Sequence, residues 1–296
     1  MSIKRVLLVG GTHGNELMGV YLIKKFERCP ELVHRSSFET LTVVGNPRAV
    51  EECVRYIDQD LNRSFDLERW QPEGSNNSYE NQRAREIRAK FGQDGQLPID
   101  LIIDLHSTTS NVGLMLILDN IDTFTLRLAA HLTSRHPTLR VYSSAGSNRN
   151  SDSLRSIAKY KIAIEIGSIA HGTINSKLFQ ENEAIVQTIL DYLEGYNSNA
   201  VELEESSLTV YQYVGVIDYP KDDKGEIQAM IHPQLQFEDY KLLNPGKPIF
   251  LTFEGEAIAY SGTLAVNPVF IGEAAYMEKG IAMVLTEEKK LRLSPD

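Results

Sequence analysis

A short apolar run, Val6-Leu7-Leu8-Val9, stops abruptly at Gly10-Gly11-Thr12-His13-Gly14-Asn15-Glu16. Consecutive apolar residues without polar alternation read as a buried strand. Gly10, Gly11 and Gly14 permit positive φ and close backbone approach. The loop leaving this strand therefore carries His13 and Glu16 to the place where α/β sheets hold ligands. A second apolar run, Ile99 to Ile103, leads in the same way into Asp104-Leu105-His106, so a third candidate ligand sits at another strand's exit.

Two imidazoles and a carboxylate with a fourth position open are the usual ligand set of a catalytic zinc. His13, Glu16 and His106 are thus expected to bind Zn2+, one ion per chain, and the chemistry expected is that of a zinc hydrolase. A bare His-x-x-Glu is also compatible with structural histidines; it is the strand-exit context that favours a metal. The other histidines, His34, His131, His136, His171 and His232, have no comparable partner.

Across the first two thirds of the chain, strand-like and helix-like segments alternate, the pattern of an α/β fold with a parallel or mixed sheet. Strands are expected at 5–9, 40–44, 99–103, 112–118, 138–142 and 161–166, and helices at 15–27, 78–91, 122–134 and 177–194. The first helix presents Leu17, Val20, Tyr21 and Leu22 at helical spacing. In the second, Asn77 and Glu80 are placed as a capping box before Ala84, Ile87 and Phe91. Ser176 is the expected cap of the last, which should close near Gly195. Around residues 195–207 the periodicity changes, through the acidic stretch Glu202-Leu203-Glu204-Glu205, marking a domain boundary near residue 200. Beyond it, short alternating runs and the hairpin-like Lys221-Asp222-Asp223-Lys224-Gly225 predict a small all-β domain over 201–296.

The 296 residues are enough for one large domain or two smaller ones, and 42% hydrophobic with 24% charged content is ordinary for a globular protein. A net charge of −10 argues against nucleic acid or an anionic membrane as partner, because both are held by basic surfaces. It leaves room for a small anionic substrate gripped by a local cluster of arginines. Two cysteines, Cys29 and Cys53, are too few for a disulfide scaffold. With no signal peptide and no membrane-length apolar run evident, the expected location is cytoplasmic.

Two further segments carry chemistry. Arg55-Tyr56-Ile57-Asp58-Gln59-Asp60-Leu61-Asn62-Arg63 is either a polar surface loop or a clamp for a carboxylate, since a guanidinium fork matches carboxylate geometry. Glu165 interrupts the apolar strand Ile162-Ala163-Ile164-Glu165-Ile166-Gly167. A carboxylate there is either a general base with a shifted pKa or half of a structural ion pair with Lys161 or Arg155.

Taken in order, Gly10-Gly11-Thr12-His13-Gly14-Asn15-Glu16, Asn46-Pro47-Arg48, Asp60-Leu61-Asn62-Arg63, Asp104-Leu105-His106-Ser107-Thr108-Thr109-Ser110-Asn111, Arg155-Ser156-Ile157-Ala158-Lys159-Tyr160 and Glu273-Ala274-Ala275-Tyr276 resemble the aspartoacylase / succinylglutamate desuccinylase family. The similarity runs from the first strand to the last thirty residues. It implies an α/β fold with a zinc-carboxypeptidase-like mixed sheet flanked by helices, and a smaller β-rich C-terminal domain covering the active-site entrance. It also implies hydrolysis of N-acetyl-L-aspartate to acetate and aspartate by a homo-oligomer, a dimer or larger. Carried over by position, His13, Glu16 and His106 resemble the zinc ligands, Glu165 the general base and Arg55 the group that polarises the scissile carbonyl. Asn62, Arg63, Arg155 and Tyr276 resemble the residues that hold the substrate carboxylates.

Three departures bear on selectivity. Ser107 stands where the mammalian enzymes carry Asn, Gly272 replaces an Asn, and the region around Ser151 lacks a tyrosine that binds the side-chain carboxylate. They leave room for a succinylglutamate desuccinylase or a broader N-acyl amino acid hydrolase. A peptide-cleaving carboxypeptidase fits less well, because the resemblance includes the second domain. A non-catalytic zinc-dependent binding protein would have no use for Glu165 as a base beside a metal.

Overall fold

A computed structural model describes residues 2–66, 78–146, 152–201 and 206–294. Asn77, Ser151 and the acidic stretch 202–205 lie outside the described residues. Six strands of the first two thirds are β1 (Arg5–Gly10), β2 (Glu39–Val44), β3 (Leu101–Ser107), β4 (Gly113–Leu118), β5 (Leu139–Ser143) and β6 (Tyr160–Gly167). With them come α1 (Leu17–Arg28), α2 (Pro47–Glu52), α3 (Tyr79–Phe91), α4 (Thr123–Arg135) and α5 (Ser176–Asn197). The last third adds β7 (Ser206–Asp218), β8 (Ala229–Ile231), β9 (Pro248–Thr252), β10 (Ala257–Ala259), β11 (Asn267–Val269) and β12 (Ile281–Leu293).

Nine strands form one mixed sheet in the order β11-β12-β7-β5-β4-β6-β3-β1-β2. β2, β1, β3 and β6 are parallel; β4 runs antiparallel to β6, and β12 antiparallel to both β7 and β11. The C-terminal third is β-rich as expected, yet three of its six strands extend the large sheet; only β8, β9 and β10 form a separate one.

Period-two alternation sorts the sheet into two faces. Val6, Leu8, Leu101, Ile103, Leu105, Leu114, Leu116, Ile162 and Ile164 enter one core together with α1, α4 and α5. Leu7, Val9 and Ile102 point the other way, against α3 and the turn at Leu154–Ile157. Farther along that second face Met115, Ile117 and Ala163 meet Tyr142, Phe270 and Val284. On β3 and β6, Asp104, His106 and Glu165 have the parity of Ile102 and Ala163, so they too point to this second face. His106 and Glu165 are register partners, which places them side by side.

Helix ends follow local chemistry, with some departures from expectation. α1 buries Met18, Val20, Leu22, Ile23 and Phe26, whereas Tyr21 is exposed: the apolar stripe is rotated by about one position from the expected one. Ser78 caps α3 by accepting from the Asn81 amide. Glu80 turns away from the expected capping box and reaches instead to the backbone of Ile57, Asp58 and Gln59. α5 is capped by Asn175, whose Oδ1 accepts from the Leu178 amide at 3.1 Å, and it continues past Gly195. Replacing Asn175 with Ala should cost about 1 kcal/mol, as loss of an N-cap does elsewhere. Urea unfolding reads this as a lower midpoint at unchanged slope; an unchanged midpoint would show that the cap contributes nothing.

Candidate active site

Every expected site residue faces one cavity at the C-terminal ends of β1, β3 and β6: His13, Glu16, Arg55, Asn62, Arg63, His106, Arg155, Glu165 and Tyr276. Residues assigned no individual role from sequence line it as well, notably Asp60, Ile117, Tyr142, Tyr213, Phe270, Glu273 and Lys279.

His13 and Glu16 ride on the loop that leaves β1. This loop is pressed onto α2: a Cβ at Gly14 would lie 2.0 Å from the Ala49 carbonyl carbon. The Gly14 amide donates to the Arg55 carbonyl at 3.1 Å. Gly11, at φ +68°, makes the turn into the loop. His106 arrives from β3. The ligand atoms of His13, Glu16 and His106 lie within 4.8 Å of one another, and all three side chains are buried.

Each imidazole turns Nδ1 to Glu16, His13 at 2.6 Å and His106 at 2.9 Å. Each also turns Nε2 to an aspartate: His13 to Asp60 at 3.0 Å, and His106 to Asp104 at 2.7 Å. With a cation held at the two Nδ1 atoms, the aspartates would accept the proton left on Nε2, the usual arrangement behind ligating histidines; His13 Nε2 also lies 3.0 Å from Arg55 Nη2. The chemistry and burial of this set fit a divalent cation such as zinc.

The supporting carboxylates are themselves held. Asp104, sealed from solvent, also accepts from the Thr12 hydroxyl at 2.7 Å and pairs with Arg155 at 3.4 Å. Asp119 meets Arg155 through two bonds, of 2.8 and 2.9 Å. Burial works against the charge on Arg155, but Asp119 and Asp104 outweigh it and raise its pKa. Burial likewise opposes ionisation of Asp60, and His13 with Arg55 overcomes it, holding the carboxyl well below its usual range. Arg55 reaches Glu16 at 3.1 Å and Asp60 at 3.6 Å, while its buried Nε meets no hydrogen-bond partner among the described residues.

Glu165 opens onto the same cavity as the metal-ligand cluster and Glu273. Among the described residues it pairs with neither Lys161 nor Arg155, whose guanidinium is taken by Asp119 and Asp104. Burial pushes its carboxyl well above the ordinary value; His106 opposes this, and the Glu16 and Glu273 carboxylates add to it. A carboxyl raised in this way can hold a proton near neutrality and exchange it.

Arg63 is about one-third exposed and contacts Asp152 at 3.5 Å and the Asn62 carbonyl. Asn62 Oδ1 accepts from the Leu154 amide at 2.9 Å, so this residue ties two walls together. Lys279 contacts Asp60 at 3.4 Å. Glu273 fixes the C-terminal segment to the loop after β3, accepting from Thr109 and Ser110 amides at 2.8 and 3.2 Å and from the Thr108 hydroxyl. Lys279 and Phe270 were invisible to sequence reasoning because neither belongs to a motif; Glu273 stands in a quoted motif but carried no role. Of the departures, Ser107 lines the cavity and its amide donates to Glu16 at 3.2 Å. Gly272 instead adopts φ +64°, a conformation Asn also tolerates, away from the cavity.

Known proteins agree with this picture along the whole chain. Residues 2–193 match the succinylglutamate desuccinylase/aspartoacylase catalytic domain, and 206–288 the AstE/AspA barrel-sandwich hybrid domain. A probable aspartoacylase of Nostoc sp. is 48% identical over 99% of each chain. An N-acyl-aromatic-L-amino acid amidohydrolase (carboxylate-forming) of Xenopus tropicalis is 40% identical over 97% of this chain and 94% of its own. The crystal structure of murine aminoacylase 3 superposes with a TM-score of 0.93 at 36% identity, covering 99% of this chain and 98% of that one. Fold and cavity together define an α/β protein with a buried His/Glu/His metal-type site. The chain belongs to the succinylglutamate desuccinylase/aspartoacylase family.

His13→Ala, Glu16→Ala and His106→Ala are each expected to abolish stoichiometric metal in elemental analysis. Full retention in any two would remove those residues from the ligand set. Asp104→Asn keeps the three ligands and should weaken metal binding about 10–100-fold, measured by competition with a chromogenic chelator. An unchanged affinity would mean that Asp104 serves Thr12 and Arg155 and not the metal-type cluster.

Proposed function

We propose that the protein is a zinc-dependent amidohydrolase that cleaves N-acetyl-L-aspartate to acetate and L-aspartate. The observation that carries this reading is the convergence of a buried two-histidine, one-glutamate cluster and an unpaired, pKa-raised Glu165 on one cavity lined by Arg55, Arg63 and Arg155. Zinc, when bound, would supply Lewis acidity toward the attacking water and the amide carbonyl. Glu165 takes the water's proton and delivers it to the leaving amine. Arg55, kept cationic by Glu16 and Asp60, stabilises the oxyanion of the tetrahedral state. A preorganised donor in such a role contributes about 3–4 kcal/mol.

Asn62, Arg63, Arg155 and Tyr276 hold the substrate carboxylates in this reading. Residues 1–200 carry the chemistry, while 201–296 close the entrance, contributing Phe270, Tyr276 and Lys279 to the cavity wall. The geometry ranks the two arginines differently. Arg155 neutralises two buried aspartates, and removing one partner from such a group costs about 3–5 kcal/mol. Loss of activity in Arg155→Ala would therefore mix substrate binding with damage to the site. Arg63, whose ion pair with Asp152 is long and partly exposed, isolates the substrate term.

A second reading is favoured by the wall of Ile117, Tyr142, Tyr213 and Phe270. Such a surface suits an apolar or aromatic group, as in the substrates named for the Xenopus relative. The decisive experiment is hydrolysis of N-acetylaspartate, N-acetylasparagine, succinylglutamate and N-acetylphenylalanine by zinc-loaded protein. If the first reading holds, N-acetylaspartate exceeds N-acetylasparagine in kcat/KM by about one to two orders of magnitude, the value of one charge-assisted contact, and Arg63→Ala removes most of that margin. Equal rates for that pair with faster cleavage of N-acetylphenylalanine would select the second reading.

Glu165→Gln should retain the metal and lower kcat by at least about 100-fold, because an amide cannot accept the proton. Near-normal turnover in the metal-loaded variant would reduce Glu165 to a structural carboxylate.

A further inference from the structure

We infer that Glu80 is a positioning residue, whose buried carboxylate fixes the Arg55–Asp60 segment and so holds the Arg55 guanidinium in register with His13 and Glu16. Glu80 is the second residue of α3 and is fully buried. Its Oε1 accepts from the Ile57 amide at 2.7 Å and from Asn46 Nδ2 at 3.0 Å. Its Oε2 accepts from the amides of Asp58 at 3.0 Å and Gln59 at 3.2 Å. Among the described residues no side-chain cation pairs with it. The charge is met by amide donors, at a helix N-terminus where the dipole also favours an anion.

What Glu80 holds matters more than how it is held. Residues 54–60 belong to no helix or strand, so three successive amides there have no ladder partner, and Glu80 supplies one for each. Around it, the Tyr79 amide donates to Asp58 at 2.7 Å, and Gln59 Nε2 donates to Asn81 at 2.7 Å. Both ends of the segment reach the candidate metal ligands: Arg55 contacts Glu16 and His13, and Asp60 contacts His13. Asn46, the fourth donor, gives its own amide to the Gly11 carbonyl at 2.8 Å, in the loop that carries His13. A single carboxylate thus joins α3, the exit of β2 and the arginine-bearing segment.

Glu80→Gln keeps the volume but sets an amide NH2 against backbone donors. The kinetic part of the test rests on the proposed role of Arg55 and is run on metal-loaded enzyme, with the N-acyl amino acid it hydrolyses fastest. Glu80→Gln should lower kcat about 10–100-fold, the scale of a misplacement near 1 Å, with little change in KM. Made in an Arg55→Ala background, the same substitution should cost less than about threefold, since residues acting through one another are non-additive. Hydrogen exchange at Ile57, Asp58 and Gln59 should rise at least about tenfold while β3 and β6 stay protected. An equal loss in both backgrounds, or unchanged exchange at 57–59, would overturn the proposal. If Arg55→Ala alone leaves kcat intact, the role of Arg55 fails, and exchange at 57–59 still decides whether Glu80 anchors the segment. Should Glu80→Gln not fold, Glu80→Asp, with both acceptor oxygens on a shorter stem, carries the same readings.

Discussion

Asp104 is the contact on which the site depends. It has no exposure at all, and one carboxylate there meets the Thr12 hydroxyl, His106 Nε2 and Arg155. Those partners come from the loop after β1, from β3 itself and from the turn at Leu154–Ile157. A charge so deeply buried is tolerable only when fully paired, so these three pieces must arrive together. The same requirement recurs at Asp60 for His13 and at Asp119 for Arg155. The polar side of the sheet is a chain of mutually dependent ions, and rigidity at the metal-type cluster follows from the cost of leaving any of them alone.

This dependence explains which parts of the protein could be read in advance. Strands buried on both faces announce themselves as apolar runs, and the expected β1, β3 and β6 were recognisable for that reason. Glu165 stood out as a polar interruption of such a run, and His106 as a histidine just beyond the end of another. The faces themselves were not readable: an uninterrupted run such as Leu101-Ile102-Ile103 gives no sign that Ile102 and its neighbours pack on different layers. The ends of helices were misjudged where two capping residues stood side by side, as with Asn175 and Ser176, and where Glu80 found backbone donors distant in sequence. That β7, β11 and β12 would join the large sheet was equally hidden, since alternating strands pair by register with partners the local pattern does not name.

The site divides along the same line. Its chemistry-bearing residues cluster in short motifs because each strand exit delivers one or two of them at once, which is why His13 with Glu16 was legible as a pair and His106 at the next exit as their partner, whereas Asp104 behind His106 carried no role until the structure showed the contact. The walls are different. Ile117 and Tyr142 look like ordinary core residues of β4 and β5, and Tyr213, Phe270 and Lys279 lie in the last third of the chain, far in sequence from any ligand. Nothing local distinguishes an apolar side chain that lines a cavity from one that fills a core. Long-range contacts decide it, and a single sequence carries no record of them.

Such a division has a consequence for how selectivity and catalysis can change independently. The metal-ligand cluster, Asp60, Asp104, Asp119 and Arg155 are coupled through buried ions, so a substitution at any of them disturbs several others at once. Ile117, Tyr213 and Phe270 sit in an apolar cluster beside Tyr142, and volume-conserving exchanges in packed apolar surfaces usually cost less than about 1.5 kcal/mol. A family built on this plan can therefore retain one hydrolytic centre while the wall opposite it is reshaped for acidic or aromatic substrates. The other cations lining the cavity among the described residues differ in the same respect: Arg55 is committed to two carboxylates, whereas Arg63 and Lys279 each have one long ion-pair contact and remain partly open to solvent. Discrimination between charged and uncharged side chains is then most economically set at these last two residues, where a change leaves the buried ion chain intact.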